Sequence, residues 1–107
     1  MREIVKTPEE IRRDALVLNM REKKMALESL VRKIKRKQSA MAMLPKNIME
    51  YDKFSAEIAK CKWELVTSIR EYEAKREELR EHCQTYHLAG NTFISAYELL
   101  EILAEEG

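Results

Sequence analysis

"YDKFSAEIAKCKWELVTSIREYEAKREELREHCQTY", residues 51–86, carries an apolar or aromatic side chain at every seventh position: Tyr51, Ile58, Leu65, Tyr72, Leu79 and Tyr86. Between them fall Phe54, Cys61, Ile69, Arg76 and Cys83, of which only Arg76 is charged. Steps that alternate between three and four residues mark a helix that buries one seam against another helix. One additional four-residue step, Leu65 to Ile69, is a stutter that locally unwinds the supercoil. No glycine or proline interrupts the stretch, so a continuous helix is expected over residues 48–88.

The flanks supply the boundaries. Upstream, "LPKN", residues 44–47, stops any preceding helix, because Pro45 cannot continue one and biases Leu44 away from helical geometry. Asn47, with Glu50 three residues later, reads as the N-cap of the long helix. Downstream, Gly90 is expected to end it as a left-handed C′ residue.

A first helix over residues 8–43 opens with "TPEE": Thr7 as N-cap, Pro8 at the first helical position and Glu10 completing a capping box. Its own seam is Leu16, Met20, Leu27, Leu30, Ile34, Met41 and Leu44, weakened by the charged positions Lys23 and Lys37. A connection limited to residues 44–47 makes the two helices antiparallel neighbours. Reversal near Pro45 pairs Met41 with Tyr51, Ile34 with Ile58, Leu27 with Leu65 and Met20 with Tyr72. The same register brings Lys35 near Glu57 and Arg21 near Glu71.

After a turn over 89–94, "SAYEL" begins a third helix, residues 95–105, with Ser95 as N-cap, Glu98 completing a box, and Ile94 and Leu99 as a hydrophobic staple. It is expected to cover a second apolar stripe of the first helix, Ile11, Ala15, Leu18 and Met25, at the open end of the hairpin. The expected fold is thus all-α: one domain over residues 1–107, a long coiled-coil-like antiparallel helical hairpin with a short third helix folding back on its open end. The composition agrees, with two glycines, two prolines and 36% charged residues.

Charge is distributed unevenly along this hairpin. Residues 32–62, the loop half, hold nine basic and three acidic side chains, while the whole chain is only +1. The basic side chains begin in "VRKIKRKQ", residues 31–38, where Val31 and Ile34 face the seam and Arg32, Lys33, Lys35, Arg36 and Lys37 fill the remaining arc. Lys46 adds another in the loop. The compensating acid lies mostly at the far end, beyond a Debye length of about 8–10 Å. Around the turn, "AMAMLPKNIM" gathers Met41, Met43, Leu44, Ile48 and Met49. Methionine adapts its shape and is over-used on binding surfaces.

Catalytic constellations are not legible. The two glycines stand alone near the end, which excludes a phosphate-cradling loop, and no serine, histidine and acid triad can be assembled. His82, Cys83 and His87 fall short of the four ligands of a structural zinc site, so no metal or cofactor is expected. Cys61 and Cys83 lie 22 residues apart on one helix, too far to bridge within a chain, and are expected to be buried free thiols. Trp63, off the main seam, is expected either to pack against a third helix or another subunit, or to stand exposed as an anchor.

No apolar run is long enough to span a bilayer and no hydrophobic leader opens the chain, so a cytoplasmic protein without membrane partners is expected. The preferred functional reading is a non-enzymatic protein-interaction module: an adaptor, chaperone or inhibitor. It would engage a larger protein partner, with a nucleic-acid-processing enzyme as one candidate, through the basic tip residues and the apolar set at the turn. The alternatives are a nucleic-acid-binding protein whose tip lysines and arginines meet phosphates, and a structural helical homo-oligomer.

Overall fold

The computed structural model describes residues 5–106. It contains three helices, α1 (Pro8–Ala42), α2 (Met49–Tyr86) and α3 (Ala96–Glu105), and no strand among the described residues. The two long helices run antiparallel and give an elongated body of 69 × 27 × 20 Å.

α1 starts as its sequence requires. The Thr7 hydroxyl accepts from the Glu10 amide at 3.2 Å, and the Glu10 carboxylate accepts from the Thr7 amide at 3.2 Å. The N-cap of α2 is a correction: it is Ile48, without a side-chain capping bond, rather than Asn47. The turn is closed by the Ile48 amide donating to the Pro45 carbonyl at 3.4 Å, which moves the helix start one residue on. Ile48 becomes half-buried and Asn47 stays exposed. Apolar burial at the turn outweighs the roughly 1 kcal/mol of a capping bond.

The end of α2 is a second correction. The left-handed residue is His87 (φ 53°, ψ 46°), three positions before Gly90. The Leu88 amide donates back to the Cys83 carbonyl at 2.9 Å, and Leu88 packs against the cluster that contains Cys83. A helix ends in this way when the residue after the left-handed one has a core contact to make.

Residues 88–95 then run back along the hairpin, and the correction concerns only the stripe covered by α3, which folds back on the hairpin as expected. It lies over the middle of the hairpin, and its last turn reaches Lys35 of α1. Residues Ile11, Leu18 and Met25 remain 58%, 56% and 69% exposed, and Ala15 is exposed as well. The returning strand of chain covers Arg13 and Val17 instead, at the point where it passes Gly90.

The core divides along the axis. Where all three elements meet, Leu16, Met20, Leu27, Tyr72, Leu79, Cys83, Ala96, Leu99 and Leu103 form one cluster. Towards the tip only two helices remain, and Ile34, Ile58 and Cys61 form a smaller one. Both cysteines are buried and free. Between the helices, Glu57 pairs with Lys37 at 2.7 Å and Glu71 with Lys23 at 2.8 Å, two positions beyond the expected Lys35 and Arg21. Lys23 and Lys37, the seam's weak points in sequence, thus span the helix pair. Arg76, the seam's single charge, leaves it to donate to the Phe93 carbonyl at 2.9 Å. Tyr86 is 48% exposed because its register partner falls before the start of α1. Among the described residues no helix is long and apolar enough to cross a membrane.

Candidate functional site

α3 occupies a groove between α1 and α2. On α1 the groove floor runs through Val31 and Lys35, and on α2 through Ile69 and Leu65. Helical spacing carries these two lines onward to Gln38 and Ala42, and to Lys62, Ile58 and Ser55. α3 stops before reaching them. Beyond its end, Arg36, Gln38, Ser39 and Ala42 line one hollow with Glu106 at its rim. Gln38, Met41, Ile58, Ala59 and Lys62 line a second. The two share Gln38 and follow one another from the end of α3 towards the tip, and together they make up the open groove.

The six basic side chains singled out in the sequence divide into two groups. Lys35 caps α3: its ammonium donates to the Leu103 carbonyl and, at 3.0 Å, to the Glu106 carbonyl. A cation at a helix C-terminus satisfies orphan carbonyls and complements the helix dipole. Arg32 reaches Glu106 at 3.4 Å and Glu28 at 3.9 Å. Lys37 pairs with Glu57 and lies 5.8 Å from the Phe54 ring centroid. Its donated hydrogen bond is the largest influence holding the Glu57 carboxyl below its ordinary value. Lys33, Arg36 and Lys46 are exposed and make no ion pair among the described residues.

Ion pairs are denser in the opposite half of the hairpin, where Arg12 and Lys75 meet Glu78, Arg80 meets Glu77 and Lys6 meets Asp14. Among the described residues, the only pair that involves residues 33–62 and not α3 is Lys37–Glu57. The basic excess at the tip is therefore not neutralised among the described residues.

The apolar tip also divides. Met43 and Met49 are 87% and 84% exposed, while Met41, Leu44 and Ile48 are half-buried. The groove residues Gln38, Ser39, Ala42, Ala59 and Ile58 were not legible as part of a site. Their helical spacing was available in the sequence, but the point where α3 ends was not. The His82 ring meets the Glu9 carbonyl at 2.7 Å and stacks at a tilt on Tyr86, which gives it a packing role. No protein-family model, curated protein or solved structure matches this chain.

Proposed function

We propose that the protein is a non-enzymatic interaction module, an adaptor, chaperone or inhibitor, and that its hairpin tip and the adjoining open groove receive an acidic, partly apolar segment of a larger protein. The observation that carries this reading is the groove's own occupant. α3 presents Leu99 and Leu103 to the groove and Glu98, Glu101, Glu105 and Glu106 around them, and its acidic end is met by Arg32 and Lys35. The unfilled length continues the same chemistry, with Met41, Ala42 and Ile58 for apolar contacts and Arg36 and Lys62 for charge. Met43 and Met49 extend it past the turn as adaptable apolar contacts.

The test is affinity capture from nuclease-treated lysate with the native chain and two variants, Met43→Asp/Met49→Asp and Lys33→Glu/Arg36→Glu. A protein retained by the native chain and lost with both variants supports the reading. Titration into labelled DNA and RNA at low and moderate salt addresses the alternative. Affinity that falls a hundredfold or so between about 50 and 200 mM salt implies several phosphate contacts, and would make the tip a nucleic-acid clamp instead.

A further inference from the structure

The outer face of α2 carries a second seam that the hairpin does not use. Asp52, Ala56, Ala59, Trp63, Val66 and Arg70 follow one another in steps of four, three, four, three and four. At 100° per residue they fall within an arc of about 80°. All six are exposed, with Trp63 at 76% and Val66 at 40%. Neither Asp52 nor Arg70 has an ion-pair partner among the described residues, although charges elsewhere on α2 are widely paired.

This step pattern reads the same in both directions. An antiparallel second copy of α2 therefore superimposes the seam on itself, with Asp52 opposite Arg70, Ala56 opposite Val66 and Ala59 opposite Trp63. Every large side chain meets a small one and every charge meets its opposite. A parallel copy would stack Trp63 on Trp63, Asp52 on Asp52 and Arg70 on Arg70, which like-charge repulsion disfavours. We infer that this face is a homodimer interface, two copies of α2 packed antiparallel about a two-fold axis near residue 61. The interface is isologous, so the association closes at two chains. It shares Ala59 with the edge of each copy's open groove, leaves the turn residues 43–48 outside the contact and points the two tips in opposite directions. A contact about 27 Å long (18 residues at 1.5 Å each) with one tryptophan per chain belongs to the small, concentration-dependent class of interfaces.

The experiment is sedimentation equilibrium of the full chain from low to high micromolar concentration, read beside the emission of Trp63, the only tryptophan. The expected result is a rise to twice the single-chain mass with a blue shift of the emission as the indole leaves water. Trp63→Glu should remain a monomer with unchanged helical circular dichroism, since the side chain contacts solvent in the single chain. Asp52→Arg and Arg70→Asp should each weaken association about tenfold or more, and the double swap should restore it. A native chain that stays monomeric throughout overturns the inference. So does a dimer that survives Trp63→Glu, or a double swap no tighter than the single ones.

Discussion

Gly90 sits where the returning chain passes closest to α1. Its φ of 118° lies in the region that favours glycine, and an added Cβ would approach Arg13 Cδ to 3.0 Å. The Arg13 guanidinium meanwhile donates to the Ala89 carbonyl at 2.8 Å, so it is not free to withdraw. Gly90→Ala should therefore lower stability by about 1 kcal/mol or more, measured by urea denaturation. Tyr72 is the other residue on which the return path depends. It is fully buried, its hydroxyl donates to the Ile94 carbonyl at 2.6 Å, and burial pushes its pKa up. Tyr72→Phe removes that bond and leaves the carbonyl unpaired, for an expected loss of about 1–2 kcal/mol. Acid titration adds a third expectation. Asp14, Glu57, Glu77 and Glu78 all lie below their ordinary values, chiefly because Lys6, Lys37, Arg80 and Lys75 respectively donate to them. A carboxyl whose folded pKa is depressed contributes stability above its unfolded value, and that contribution disappears as the pH falls through the folded one. Tm should hold near neutral pH and fall below about pH 4–4.5, with a shallower fall in Glu57→Gln.

α3 is only ten residues long, below the length at which an isolated helix is stable in water. It persists because both ends are held. At its start the Ser95 hydroxyl accepts from the Glu98 amide at 3.2 Å, which is half of the expected box. The free Ala96 amide is taken by the Glu73 carboxylate of α2 at 2.6 Å, a cap supplied from outside the helix. At its end Lys35 serves the last carbonyls. Lys35→Met should therefore loosen α3 without disturbing the hairpin. Hydrogen exchange should quicken across residues 96–105 by an amount corresponding to about 1 kcal/mol, while amides of α1 and α2 around Leu27 and Leu79 keep their protection. An equal change throughout the molecule would mean that α3 and the hairpin unfold as one unit.

The whole molecule is graded in thickness, and stability should follow that gradient. Leu27 and Leu79, in the cluster that α3 and the returning segment complete, are both 0% exposed. Near the tip two helices enclose Ile34 and Ile58, at 7% and 6%. Leu27→Ala should cost about 2–5 kcal/mol and Ile58→Ala less, because the thinner site can relax around the lost atoms. Met43→Asp and Met49→Asp should stay within about 0.5 kcal/mol of the native chain, since those side chains are already in water. Chemical denaturation of these four variants separates folding positions from contact positions. If the methionine variants proved strongly destabilising, the tip would be part of the fold rather than a surface for a partner.

The long helices, the break at Pro45 and the seam between them were determined by the amino-acid sequence alone. Each depends on residues three or four apart, as in the Tyr51 to Tyr86 heptads, or on a local stop such as Pro45 or a start such as Thr7 with Glu10. Local periodicity does not specify where remote segments meet. Tertiary packing chose His87 as the left-handed residue, because Leu88 had to reach Cys83. It also moved the cross-helix pairs by two positions, from Arg21 and Lys35 off the seam to Lys23 and Lys37 at its charged positions. Above all it decided how far along the hairpin α3 lies, which sets how much of the groove stays open. That position is the sum of many weak contacts between distant parts of the chain, with Lys35, Glu73 and Arg76 as its polar fixings.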